Sequence, residues 1–307
     1  MYLSASMEGK HLIGIDLGGT KIEGVVLDAA RQVVVRRRIA TEQAGGYEHI
    51  VARIAALVAE LRRSAGDRVA IGIGTPGSVT RAGTMKNCNT TCLNGRALPE
   101  DLAAAIGLPV TIENDANCFA LAEAVAGTGQ GAAMVFGVIL GTGVGGGIVF
   151  RGELLRGPQS LAGEWGHHCL DPAGPPCYCG QRGCAEVFLS GPALAEAYGE
   201  RLGSSSARAE EVIALARAGD PIAAGVVGGY LQRFGRALAN VIDILDPDTI
   251  VIGGGLSNLD ELYQEGRAQV ARCIFNDELR TPIVRHQLGD SAGVIGAAMV
   301  AAQRREP

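Results

Sequence analysis

Ile13-Gly-Ile-Asp-Leu-Gly-Gly-Thr-Lys-Ile-Glu-Gly-Val-Val-Leu27 reads as a strand, a glycine turn and a second strand in which apolar positions alternate. A later stretch echoes it. Residues 133–140 are predicted as a strand, Gly141-Thr-Gly-Val-Gly-Gly-Gly147 as the turn, and 148–151 as the returning strand. One such hairpin in each half predicts a duplicated architecture. Around them, strands are predicted over 33–41, 69–73, 110–112, 249–252 and 283–286. Helical spacing predicts helices over 49–63, Leu98–Ile106, 116–125, 193–202, 209–218, 222–245, about 259–273, and from Ala292 onward. Residues 80–94 read as a polar, irregular loop. Alternating strands and helices make the class α/β.

Composition narrows the function. With 47% hydrophobic and 19% charged residues, the 307-residue chain is globular, and its length allows one large domain or two ordinary ones. Forty-five glycines predict many tight turns and close backbone approaches to a ligand. A net charge of −5 excludes a basic footprint for nucleic acid. The run Arg36-Arg37-Arg38 reads as a solvated strand end. No apolar run reaches the roughly 18 residues of a membrane span, and residues 1–10 lack the apolar core of a signal peptide. No membrane partner and a cytoplasmic location are therefore expected, and the eight cysteines are expected to be reduced thiols or metal ligands.

The glycine turns favour a nucleotide. In Asp16-Leu-Gly18-Gly19-Thr20-Lys21 bare glycines let backbone N–H groups approach phosphate oxygens. Thr20 adds a hydroxyl, Lys21 a charge, and Asp16 a carboxylate for hydrated Mg²⁺. Gly72-x-Gly74-x-x-Gly77 and Gly141-x-Gly143-x-x-Gly146 match a dinucleotide spacing, but neither leads into a helix, as a nicotinamide site requires. The P-loop pattern is absent. A third cluster, Gly253–Gly255, follows a predicted strand.

Asp115 ends a predicted strand and begins a helix, where ligands bind in α/β sheets, and is the candidate general base; Asn114 or Asp115 is equally the natural helix cap. Between Gly163 and Glu186 lie Cys177, Cys179 and Cys184 among glycines and prolines, with His167 upstream. Three thiolates and an imidazole fill a tetrahedral zinc site and leave no open position, so the Zn²⁺ is read as structural. Cys169 and His168 are spare neighbours, His168 being expected to point the other way. Cys88, Cys92, Cys118 and Cys273 read as ordinary thiols.

Taken in order, Asp16-x-Gly-Gly-Thr-Lys21, Gly74-Thr-Pro-Gly77, Glu113-Asn-Asp115, Gly141–Gly147, Glu164-x-Gly-His167, Cys177-x-Cys-Gly-x-x-Gly-Cys184-x-Glu186 and Asp248-x-Ile-Val-Ile-Gly-Gly-Gly255 resemble the ROK family of repressors and sugar kinases over nearly the whole chain. The family's regulators carry an N-terminal helix-turn-helix, for which the first hairpin leaves no room. The resemblance implies an actin-like, ribonuclease-H-like ATPase fold of two lobes, 1–114 plus 291–307 and 115–290, with the active site in the cleft between them. It implies ATP phosphates against Gly18, Gly19, Thr20, Lys21, Gly141, Thr142 and Gly143, and adenosine near Gly254 and Gly255. It puts Gly77, Asn87, Asn114, Asp115, Glu164, His167 and Glu186 against the sugar, Asp115 as general base, His167 serving zinc and sugar through different nitrogens. A hexose 6-kinase acting on fructose is the expectation, with N-acetylglucosamine kinase or glucokinase as alternative and a non-catalytic sugar sensor as the reading from another class. Homodimerisation is implied by the family's habit.

Overall fold

The computed structural model describes residues 10–203 and 208–303. Residues 1–9, to which the signal-peptide expectation applies, lie outside them, as do 204–207 and 304–307. The chain forms two compact units. One runs up to Gly127 and includes Gly147–Ala162 and the segment from Leu288; the other comprises Thr128–Gly146 and Gly163–Gln287.

In the first unit β1 (His11–Leu17), β2 (Lys21–Leu27), β3 (Val33–Ala40), β4 (Val69–Thr75) and β7 (Val110–Asn114) form a sheet of order β3-β2-β1-β4-β7. β1 pairs antiparallel with β2 and parallel with β4, which pairs parallel with β7. The helix α1 (Gly46–Ala65) buries Ile50, Ile54, Leu57, Val58 and Leu61, the residues whose spacing predicted it. α2 (Leu98–Ile106) begins with Pro99 in its first turn and ends at Gly107 in the left-handed region. Two short strands pair here: β5 (Ser78–Val79) lies just before the stretch expected to be irregular and β6 (Met85–Lys86) within it.

The C-terminal helix α9 (Ala292–Ala302) sits where the sheet lacks side chains. A Cβ on Gly14 would fall 2.2 Å from the Val294 carbonyl oxygen, and one on Gly72 1.8 Å from that of Ala297. Mid-strand glycine costs stability but admits a backbone this closely. α3 (Asp115–Ala126) packs on α9 at Gly296, whose Cβ would meet the Cys118 carbonyl at 1.8 Å. This packing groups α3 with the first unit, whereas the sequence reading assigned 115–290 to the other lobe.

The second sheet has the order β10-β9-β8-β11-β12, from β8 (Met134–Leu140), β9 (Val144–Phe150), β10 (Glu153–Leu154), β11 (Thr249–Gly253) and β12 (Ile283–Arg285). The first sheet's order recurs here: a hairpin in the middle, a third strand beyond its second arm, two parallel strands beyond its first. The division between units passes through β9, after Gly146. Further helices are α4 (Glu186–Leu189), α5 (Gly191–Leu202), α6 (Ala209–Arg217), α7 (Pro221–Leu245), whose cap Asp220 accepts the Ala223 N–H at 2.7 Å, and α8 (Glu265–Cys273). The helix expected from about 259 thus begins at Glu265, after two short 3-10 turns. No single described helix is long and apolar enough to cross a membrane.

Two sequence expectations change for physical reasons. The glycine run 141–147 is not all turn: β9 starts at Val144, and Gly146 and Gly147 lie inside it. A Cβ on Gly146 would meet the Gly163 carbonyl at 2.8 Å, and one on Gly147 the Ala120 methyl at 2.7 Å, so both are packing glycines. Nor is the arginine run merely solvated. Arg36 and Arg38 on β3 both pair with Glu23 of β2, which is only 2% exposed, and Arg37 pairs with Glu60. A buried carboxylate requires such partners.

Candidate active site and metal centre

Strand register groups candidate residues in the first unit. Asp16 stands opposite Gly74, and Gly74 opposite Glu113, so the C-terminal ends of β1, β4 and β7 present adjacent residues. Ligands bind at this end of parallel strands. Asn114 is the cap of α3: its Oδ1 accepts the Asn117 N–H at 2.7 Å. Capping therefore falls to Asn114, and Asp115 is the first helical residue, its Oδ1 accepting the Ala116 N–H at 2.8 Å. Glu113 fixes this corner, accepting from Asn117 Nδ2 at 2.9 Å and pairing with Arg156 Nε at 2.7 Å. Arg156 lies some forty residues on and carries no motif; only the fold reveals it.

The turn Gly18–Thr20 is closed by the Gly18 N–H donating to the Lys21 carbonyl at 3.0 Å. Thr41 braces it, its hydroxyl donating to the Gly18 carbonyl at 2.7 Å, and Gln43 donates to the Gly19 carbonyl. Asp16 behind the turn has its pKa pushed up to about 6, first by burial, then by the negative charges of Asp115 and Glu23, against a smaller opposing effect of Lys21. Gly77 and Asn87 adjoin. Gly77 has φ 80°, and a Cβ there would fall 2.4 Å from the Lys86 carbonyl; Asn87 is itself left-handed at φ 59°. Asn94 holds this loop from both sides, accepting the Cys88 N–H at 2.9 Å and donating to its carbonyl at 3.2 Å.

In the second unit, Gly141, Thr142 and Gly143 form the β8–β9 turn, and the third glycine cluster adjoins it. A Cβ on Gly141 would lie 4.0 Å from the Gly255 nitrogen, and Gly254, at φ 82°, leaves only 2.3 Å to the Leu140 carbonyl. Glu186, first residue of α4, reaches the same turn. Its Oε2 accepts the Val144 N–H at 2.9 Å and lies 2.7 Å from where a Gly143 Cβ would be. No sequence pattern announced this contact.

His167, Cys177, Cys179 and Cys184 converge, their donor atoms all within 4.8 Å of one another. Cys177 Sγ is 3.6 Å from His167 Nδ1, and Cys179 Sγ is 3.6 Å from Cys184 Sγ. With Zn–S near 2.3 Å and Zn–N near 2.0–2.1 Å, tetrahedral edges come to about 3.5–3.8 Å, so the donor set fits zinc. Isolated antiparallel backbone β-bridges pair Cys169 with Cys184 and Pro176 with Arg182 across the knuckle. Cys169 is exposed, and His168 turns away as expected, its Nδ1 2.6 Å from the Trp165 carbonyl oxygen. His167 Nε2, the nitrogen expected to face the sugar, is 3.0 Å from the Tyr178 hydroxyl. The signal for Tyr178 was its place between two cysteine ligands. Glu164 begins the short 3-10 turn Trp165–His167, its carbonyl accepting the His167 N–H at 3.2 Å.

The ROK family model matches residues 12–304. An N-acetyl-D-glucosamine kinase of Photobacterium profundum is 37% identical, covering 94% of this chain and 98% of its own length. The N-acetylgalactosamine kinase AgaK of Shewanella is 35% identical over 94% of this chain and 95% of its own. A ROK family glucokinase from Streptomyces griseus, solved with glucose and AMPPNP, superposes with a TM-score of 0.78 at 32% identity, covering 96% of this chain and all of the other. The fold is thus that of the ROK kinases, the actin-like two-lobe α/β ATPase fold. The chain belongs to the ROK family. Fructose, the expected acceptor, finds no support in these relatives; the alternative, N-acetylglucosamine, does.

Proposed function

We propose that the chain transfers the γ-phosphoryl group of ATP to the 6-hydroxyl of an N-acetylhexosamine, foremost N-acetyl-D-glucosamine. As a ROK member whose full-length relatives are kinases, it is an ATP-dependent sugar kinase, a phosphotransferase with an alcohol acceptor. The likeness to the Photobacterium enzyme over nearly both whole chains carries the choice of sugar.

Asp115 is the proposed general base. A sugar hydroxyl is too weakly acidic to ionise at neutral pH, so a carboxylate accepts its proton as phosphoryl transfer proceeds. The Asp115 carboxylate stands at the head of α3, where its Oδ1 accepts the Ala116 N–H at 2.8 Å, beside the cap Asn114. Gly18, Gly19, Thr20 and Lys21, with Gly141, Thr142 and Gly143, would receive the phosphates through backbone N–H groups, Thr20 and Lys21; Gly254 and Gly255 would receive the adenosine. Mg²⁺, when bound, neutralises phosphate charge, and Asp16 is the carboxylate placed to hold its waters. Gly77, Asn87, Asn114, Glu164, His167 and Glu186 are proposed to read the sugar, with Tyr178 occupying the His167 Nε2 position that a sugar hydroxyl would take. Zinc in the Cys177, Cys179, Cys184 and His167 site would hold Glu164 and Glu186 in place. Homodimerisation is proposed on the family's habit.

An ADP-release assay over N-acetylglucosamine, N-acetylgalactosamine, N-acetylmannosamine, glucose, mannose and fructose tests the reading. N-acetylglucosamine should give the highest kcat/KM. Preference for fructose or glucose would overturn the sugar, and no ADP release with any of them would overturn the kinase.

A further inference from the structure

Along α7, Gly229, Gln232, Arg233 and Arg236 fall at i, i+3, i+4 and i+7, one face of the helix. That face borders a cavity of about 340 Å³. Arg201 of α5, Phe188 of α4 and Asp171 of the zinc knuckle complete its wall. Three guanidinium groups thus surround a space with one carboxylate in its lining. Among the described residues none of the three arginines is in an ion pair. In a chain of net charge −5 such a concentration of positive charge is not a general surface property.

The Arg233 guanidinium carbon lies 4.8 Å from the centre of the Phe188 ring, a stacking contact that orients the fork. Two glycines of α7 face guanidinium groups: a Cβ on Gly225 would fall 3.0 Å from Arg201 Nη1, and one on Gly229 3.6 Å from Arg233 Nη1, an ordinary contact.

We propose that this cavity binds a small phosphate-bearing anion, separate from the glycine turns at Gly18–Thr20 and Gly141–Gly143. Planar guanidinium forks match the oxygens of a phosphate group in paired hydrogen bonds. The volume is at the small end of ligand pockets, roughly 300–1,000 Å³, and suits free phosphate or a phosphorylated monosaccharide. The Leu170 and Asp171 N–H groups donate to the Gly183 carbonyl at 2.7 and 3.2 Å, beside the ligand Cys184, so a bound anion would tie the knuckle to α7.

Calorimetric titration of the full-length, zinc-loaded protein with inorganic phosphate, in chloride buffer, tests the site. Wild type should take up phosphate in a salt-sensitive event weakened at least about tenfold by R233A/R236A and by R201A, with KM for ATP and sugar unchanged. N-acetylglucosamine 6-phosphate is titrated beside it. Tighter binding that is sensitive to the same arginines identifies the sugar phosphate as the ligand, and equal or weaker binding identifies free phosphate; both support the site. Unchanged zinc content and circular dichroism establish that the variants are folded. Equal phosphate affinity in wild type and both variants, or no uptake by wild type at millimolar phosphate, would overturn the proposal.

Discussion

At the first glycine turn, Gly18–Thr20, the bracing comes from just beyond β3: the Thr41 hydroxyl and the Gln43 amide hold the Gly18 and Gly19 carbonyls. At the second, Gly141–Gly143, it comes from much further along, where Glu186 accepts the Val144 N–H. Glu186 follows the zinc ligand Cys184 by two residues, and the Ala185 N–H between them donates to the His168 carbonyl at 3.0 Å. The first turn therefore relies on neutral hydrogen bonds formed within one run of chain. The second relies on a carboxylate two residues from the candidate zinc site. Two similar glycine sequences are stabilised by unrelated means, and we propose that only the second connects nucleotide binding to zinc.

The largest effect should come from Asp115→Asn, which touches neither brace. Turnover should fall by about 10²–10⁴-fold, while nucleotide and sugar affinities, read by calorimetry, stay within a few-fold; a variant with near-normal kcat would remove Asp115 from the chemistry. Next, Asp16 bears on the stability of the first turn's unit. Its carboxyl titrates near pH 6 in the folded chain, above its ordinary value of 3.8. The folded state thus holds a proton that the unfolded chain releases, so in magnesium- and nucleotide-free protein this group's contribution to stability falls as pH rises from about 4 to about 6, then levels. Asp16→Asn should flatten that slope and stabilise the protein at pH 8 by up to about 3 kcal/mol, as urea denaturation at pH 4.5 and 8 would reveal; an unchanged slope would mean that burial does not penalise the charge.

Glu186 separates the two turns more sharply. Glu186→Ala should weaken nucleotide binding by about 1.5–3 kcal/mol, the range for a hydrogen bond to a charged group. Glu186→Gln keeps an oxygen for the Val144 N–H and should retain most of that affinity. Equal loss in both variants would assign the effect to charge and not to the hydrogen bond. Gln43→Ala, at the first turn, should cost only about 0.5–1.5 kcal/mol of nucleotide binding, with zinc content and sugar affinity unchanged. Coupled loss of zinc there would erase the contrast.

Much of this was legible in the chain. Both hairpins, the amphipathic helix with Ile50 to Leu61 buried, and the convergence of His167, Cys177, Cys179 and Cys184 follow from local pattern, because turns, helical faces and cysteine knuckles are set by residues near in sequence. What stayed hidden depends on what a residue meets across space. Gly146 and Gly147 look like turn residues until Phe136 and Ala120 are seen against them. Arg36 and Arg38 look solvated until β2 places Glu23 between them. Sequence left Asn114 and Asp115 equal as caps, and one hydrogen bond to Asn117 decides between them. Arg156 and the Glu186–Val144 contact carry no motif at all.

The dependence of the second turn on the metal is tested most directly by measuring AMPPNP affinity in protein of graded zinc content, with zinc determined by mass spectrometry on the same samples. Nucleotide affinity should fall in step with zinc and return when zinc is restored. Zinc-free protein that binds the nucleotide as tightly as the zinc-loaded form would contradict the connection between knuckle and turn.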